Sequence, residues 1–217
     1  MSSTSSQVHN HHHQHTIQNI HNNTNRTITL VPYDQVRDTW PSIGNHIIAT
    51  YSDDAVLVYQ AFNDEIADYA LEHQKFEGCP SYNDTRMTWI KSNWLWMMYR
   101  SNYATKQNQT RILGLWLKRS AYLDILRKAR LKGSGAGLVR AQWDPDYSPA
   151  LEPIKRRRDL QIGIKKRESF RNGEDFIEIV DCTELAHKSR ETKSIPPERV
   201  FIPDEDEICI NLQVTRN

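Results

Sequence analysis

RMTWIKSNWLWMMYRSNYATK, residues 86–106, decides how the rest of the chain is read. It holds three of the six tryptophans (Trp89, Trp94, Trp96), three of the four methionines and two of the nine tyrosines. It carries four fixed cations, Arg86, Lys91, Arg100 and Lys106, and no acid. Large rings are costly to leave in water unless they pack or bind something, and cations are drawn to ring faces. Read as a helix over 92–103, the stretch puts Asn93, Trp96, Arg100 and Tyr103 on one face. Trp94, Met97, Met98 and Ser101 fall on another, mostly apolar face that suits a core. The first face is a stripe fit to stack a base or nicotinamide ring and to hold a phosphate. Packing offers a second reading, in which Arg100 lies along Trp96 with its tip in water. For single residues packing is the simpler reading. For the set, with Arg86 and Lys91 alongside and no acid to pair them, ligand binding is.

Upstream, two strands flank a Ser52-Asp53-Asp54 turn, the first containing Ile47, Ile48 and Tyr51 and the second spanning 55–60. Asn63 or Asp64 caps an amphipathic helix to about Gln74, because either side chain accepts a bond from a free backbone N–H. Downstream, 111–117 reads as a buried strand, and Ser120 caps a helix through Ala129. The glycines of 133–137 follow a helix and lack G-x-G-x-x-G spacing, so they read as a helix stop and link and not as a dinucleotide fingerprint. A strand over 138–143 is expected to close at Asp144-Pro145. A loop bearing Lys155, Arg156, Arg157 and Arg158 leads to a strand at 160–164. A strand at 176–180, a helix at 183–190 and an alternating strand at 208–214 complete the domain. Six or seven short strands with about four helices give a single α+β domain over residues 28–217. The preceding tail, residues 1–27, is rich in Ser, His, Asn and Gln, holds six of the nine histidines, and is expected to be disordered. Its histidines suggest at most weak metal binding.

The net charge of +1 over 217 residues hides segregation. Residues 86–171 contain 20 Lys and Arg against six Asp and Glu, and the remainder contains eight against 21. This points to a nucleotide or nucleic-acid phosphate as partner, or to acidic ends folding back over a basic middle. With no apolar run long enough for a membrane span and no secretory leader, the expected location is cytoplasmic or nuclear. Three unpaired cysteines, Cys79, Cys182 and Cys209, agree with a reducing compartment. The domain histidines His46, His73 and His187 lack ligand spacing, so no metal cofactor is expected. No nucleophile elbow is present.

Residues 87–106, with VYQAFNDEIADYAL (58–71), AQWDP (141–145) and LQIGI (160–164), resemble the family called domain of unknown function 4291. The resemblance covers roughly residues 46–185. It departs at Ser92-Asn93, where a Pro-containing pair is expected, and at Asp159, where a small polar residue is expected. A fainter similarity of layout links the chain to ADP-ribosyltransferases: a Tyr-bearing strand, an amphipathic helix, then short strands with a late Gln or Glu. That similarity implies an NAD-dependent transferase. Arg86, Lys91 and Arg100 would then hold the pyrophosphate, Tyr59 and Trp96 would sandwich a ring, and Gln161 would orient the ribose or the acceptor. Tyr59 and Gln161 are the catalytic candidates, with Glu178 as a candidate late acid. The alternative is a non-enzymatic module for single-stranded nucleic acid. A third reading is an interaction domain whose aromatic stretch is only its core.

Overall fold

An apolar run with no alternation needs cover on both faces, and residues 55–59 are such a run, every one of them buried. The computed structural model, which describes residues 26–131 and 137–216, provides that cover. The chain starts with β1 (Val31–Pro32), α1 (Tyr33–Val36) and a 3₁₀ turn (Arg37–Thr39), then β2 (Gly44–Ala49) and β3 (Ala55–Phe62). It continues through α2 (Asp64–His73), β4 (Thr88–Lys91), α3 (Trp94–Ser101), β5 (Arg111–Lys118) and α4 (Arg119–Lys128). Next come β6 (Arg130–Leu131), β7 (Val139–Tyr147), β8 (Pro153–Ile164), α5 (Glu168–Arg171) and β9 (Phe176–Asp181). Last are α6 (Thr183–Thr192), β10 (Ser194–Ile195), β11 (Arg199–Phe201) and α7 (Asp206–Leu212).

The main sheet runs β11-β2-β8-β4-β3-β5-β9, with β7 on the other edge of β8 and β6 beside β7. Val56 and Val58 on β3 pack into a core roofed by α2, α4 and α7. Leu57 and Tyr59 point the other way, into a second core with α3, α6 and the N-terminal residues Ile28, Tyr33 and Trp40. Helices therefore cover both faces. β8 serves as the spine. One of its edges carries β2, parallel at residues 157–159, and then β4, antiparallel at 161–164. Its other edge carries β7 along almost its whole length.

The α+β class is as expected, with more elements than anticipated because several are of one turn or two residues. Three local expectations are corrected. Residues 208–214 are not a strand: Ile208, Cys209 and Leu212 share one helical face of α7 and are buried, while Ile210 is 73% exposed. Asp206 and Glu207 in its first turn suit the positive end of the helix dipole. Asp144-Pro145 does not close β7, which runs on to Tyr147. Lys155–Arg158 do not form a loop but lie inside β8. Arg158 pairs with Pro145 and Ile154 with Asp146, so residues 155–157 bulge out of register. A bulge is where a proline is tolerated in a ladder. Arg156 takes φ 76°, and Arg157 turns inward. Of the expected N-terminal tail, residues 1–25 lie outside the described residues, as do 133–136 of the glycine link.

Buried polar groups fix α3. Glu198, between β10 and β11, accepts the Trp94 backbone N–H at 2.6 Å through Oε1. Asn93 caps the helix by accepting from Trp96 N at 2.8 Å, and donates to Asp146 Oδ1 at 3.2 Å. Arg157 closes the chain of contacts with Nε and Nη2 each 2.6 Å from Asp146 Oδ2, its guanidinium over the Trp40 ring. Lys91 donates to the Asp159 carbonyl at 2.9 Å and lies 3.9 Å from Asp159 Oδ1, both side chains wholly buried. Burial pushes the Asp159 carboxyl up to about 7 against the pull of Lys91, and pushes the Lys91 ammonium down. Burial also holds the Glu198 carboxyl well above the usual carboxylate range, despite the Trp94 N–H that favours its anion.

Glu198→Ala leaves the Trp94 N–H without its acceptor, and denaturant unfolding should show a loss of about 1–3 kcal/mol. Glu198→Gln keeps an acceptor and should lose less. A carboxyl whose folded pKa is raised stabilises fully below its unfolded value, and that stability is lost as pH rises toward the folded value. The melting temperature should therefore fall between roughly pH 5 and pH 8, and the fall should be shallower in Glu198→Gln. Asp159 and Lys91 titrate in both proteins and feel the Glu198 charge, so the difference between the two curves reports Glu198 together with its effect on that pair. Parallel curves would mean that Glu198 is ionised throughout.

Candidate functional site

β3 and β4 are ladder neighbours at a single pair, Tyr59 with Lys91. An antiparallel ladder would next pair Gln60 and Ala61 with Ile90 and Trp89. Instead the strands diverge, each held by its outer neighbour, β5 for β3 and β8 for β4. Gln60 spans the gap, donating Nε2 to Thr88 Oγ1 at 2.6 Å and to the Trp89 carbonyl at 3.0 Å. Its Oε1 is buried and has no partner among the described residues. A cavity of about 350 Å³ opens at this fork, and Gln60 lines its floor.

One wall is α3, which presents the exposed Arg100 and the accessible edges of the otherwise buried Trp96 and Met97. The facing wall comes from the chain leading into β4, with Tyr82, Arg86, Met87 and Trp89, and Gln161 enters from β8. The helix is held at both ends. Asn93 and Glu198 fix its start, and three consecutive residues with positive φ, Asn102, Tyr103 and Ala104, stop it. Left-handed conformations are uncommon for a bulky residue such as tyrosine. Here Tyr103 N bonds the Met98 carbonyl at 3.0 Å and Tyr103 Oη the Pro149 carbonyl at 2.7 Å. The turn that follows brings Asn108 and Gln109 to the cavity rim.

Four of the six residues singled out from sequence line this one cavity: Arg86, Trp96, Arg100 and Gln161. Two do not. Tyr59 is wholly buried on the α3 side of β3, its ring 5.0 Å from Trp94 in an edge-on contact, so it cannot sandwich a ligand ring. Lys91 alternates inward on β4 and lies beneath Trp96, 5.1 Å from the ring centroid, with its charge spent on Asp159. It steadies the indole from behind and has no route to a phosphate. Tyr103 leaves the stripe because α3 ends at Ser101. Glu178 is on β9, opposite Trp116 of β5, and does not line the cavity. Gln60 and Trp89 line the cavity although neither was given a site role from sequence, and Tyr82, Asn108 and Gln109 went unnoticed there. Gln60 had a signal, as the one polar side chain within an otherwise apolar strand.

Among the described residues no acid lines the cavity. Arg86 and Arg100 are exposed and have no carboxylate partner among the described residues. Elsewhere part of the basic segment is neutralised. Arg119 pairs with Asp204, Arg127 with Glu205, Arg111 with Asp68 and Asp181, and Arg167 with Asp124 and Asp175. Asp204 and Glu205 of the C-terminal region thus cover the α4 side, while Arg86 and Arg100 at the fork stay unpaired among the described residues. Cys79, Cys182 and Cys209 are all free thiols, buried away from the cavity. No helix among the described residues is long and apolar enough to cross a membrane.

A family model described as Domain of unknown function (DUF4291) matches residues 46–207, which is well over half of the chain. No curated protein matches the chain. The match bears on the first of the two resemblances and not on the ADP-ribosyltransferase layout. It reaches Glu198, further than residue 185, and encloses every residue that lines the fork cavity. The chain belongs to the DUF4291 family.

Proposed function

We propose that the fork cavity binds a nucleotide, with its ring against Trp96 and its phosphate at Arg86 and Arg100. The observation that carries this reading is the company these residues keep. Two unpaired guanidiniums, an indole and the amides of Gln60 and Gln161 converge on one concavity with no carboxylate in its lining. Guanidiniums match phosphate oxygens with charge-assisted, often bidentate bonds. Aromatic faces stack bases without regard to sequence. The unpartnered Oε1 of Gln60 and the half-exposed amide of Gln161 supply acceptors and donors for a sugar hydroxyl or a base edge.

NAD is the first ligand to try, because it combines an aromatic ring, ribose and pyrophosphate. NAD-dependent transfer asks for more than binding. The bond from ribose C1 to nicotinamide must break with its electron pair leaving on nicotinamide, while an acceptor atom adds at C1 and gives up a proton. Gln161 is the pocket residue fitted to orient ribose or acceptor. A carboxylate to take the proton is missing from the lining, and Asp159 and Glu198 are sealed behind Lys91 and Trp94. Nucleotide binding is therefore the function that the geometry supports best, and ADP-ribosyl transfer draws only on the similarity of layout.

Thermal-shift titration of the full chain with NAD, and separately with AMP, should raise the melting temperature, since a ligand that binds only the folded state stabilises it by mass action. Arg100→Ala removes an exposed side chain, so the fold should stand while affinity drops by about tenfold to a hundredfold, the worth of one or two charge-assisted bonds. Unchanged affinity in Arg100→Ala would overturn the phosphate assignment. Tyr59→Phe should leave ligand affinity unchanged, because its hydroxyl is sealed in the core.

A further inference from the structure

Resting on the nucleotide reading of the fork, we propose that the open sheet face beside it binds single-stranded RNA, so that the nucleotide in the cavity is one unit of a polynucleotide. Ladder partners share a face of a sheet. Trp89 and Arg140 both pair with Gly163, and Lys91 and Gln142 both pair with Gln161. Their neighbours Ile90, Ile162, Ile164, Val139 and Ala141 fill the opposite core, so these residues all face the α3 side. α3 covers only part of that side. Trp96 closes over Lys91, while Trp89 is 36% exposed, Arg140 is exposed and Gln161 is half-exposed.

The face is shaped for a flat ring. A Cβ on Gly163 would lie 2.5 Å from Met87 Sδ and 2.9 Å from the Trp89 ring, so the glycine lets the Met87 thioether and the edge of the indole both lie close on the sheet. Trp89 also lines the fork cavity, which makes cavity and face continuous. Arg140 stands two strands away, roughly 10 Å at ordinary strand spacing, and has no carboxylate partner among the described residues. That leaves room for a base on the indole with its phosphate at the guanidinium. Asp144, the acid nearest on this face, is buried and accepts from Gln142 Nε2 at 2.6 Å. Stacking ring, unpaired cation and amides on a sheet surface are what an unpaired strand with 2′-hydroxyls recognises, and duplex shape is not.

The test compares a fluorescein-labelled oligouridylate of about eight nucleotides with UMP, using anisotropy for the first and calorimetry for the second. The oligomer should bind at least about tenfold tighter than UMP, one stacked base being worth that much. Arg140→Glu should remove the excess and flatten the salt dependence by about one phosphate contact, with UMP affinity unchanged. Arg140→Ala, which adds no new charge, should do the same more weakly. An oligomer no tighter than UMP overturns the RNA face and leaves the cavity reading standing. Binding of neither ligand removes both. Tight oligomer binding that ignores Arg140→Glu overturns the path across the sheet. An oligodeoxyuridylate binding equally well overturns the choice of RNA, and displacement by polyglutamate as readily as by RNA would mean that the face reads charge alone.

Discussion

The carboxyl of Glu198 at the amino end of α3 is the contact on which the arrangement hinges. It comes from a segment some hundred residues further along the chain, yet it satisfies the first backbone donor of the helix that carries Trp96 and Arg100. Free N–H groups at a helix start must find acceptors, and a buried start finds them only in protein. Here Asn93 supplies one and Glu198 another, while Asp146 and Arg157 hold Asn93 in turn. Such groups are costly to bury singly and are tolerated as a connected set. The set spends four strand or loop segments on placing one short helix, and that helix forms a wall of the cavity.

Much of the fold was legible because local patterns agreed with tertiary demand. The run at 55–60, the helix after Asn63 and the strand at 111–117 are all present. The failures share a physical cause. Ile208-Cys209-Ile210 alternates on paper, but the acids before it and the apolar spacing to Leu212 suit a helix equally, and only packing against α4 decides. Lys155–Arg158 looked like a solvated loop because four cations in a row rarely enter a sheet. A bulge lets Arg157 turn in to Asp146 while Lys155, Arg156 and Arg158 stay exposed.

The candidate site was half legible for a similar reason. A helical wheel places Trp96 and Arg100 together without knowledge of the rest of the molecule. It cannot place Lys91, whose direction depends on strand alternation in β4, nor Tyr59, whose polar tip ends in the core. The fork itself is invisible in sequence, because it is made by two strands failing to pair. Charge segregation was legible in sign and not in geography: Asp204 and Glu205 of the C-terminal region cover the α4 side, while Arg86 and Arg100 at the fork stay unpaired among the described residues.

The fork also acts as a mechanical joint. Its two arms belong to different halves of the sheet, β3 with β5 and β9, β4 with β8 and β7, and they meet at one ladder pair. Tyr59 and Lys91 mark the inner end of the mouth, and the hairpin contacts of Tyr51 with Val56 and of Leu57 N with the Thr50 carbonyl join the same two halves beside it. Lys91 is tethered to Asp159 on the spine of one half, and Tyr59 is wedged against Trp94 of the helix wall. Gln60 Nε2 crosses the mouth to Thr88 and Trp89, so opening it must break those two bonds. The aperture is set by the stiffness of the core behind it.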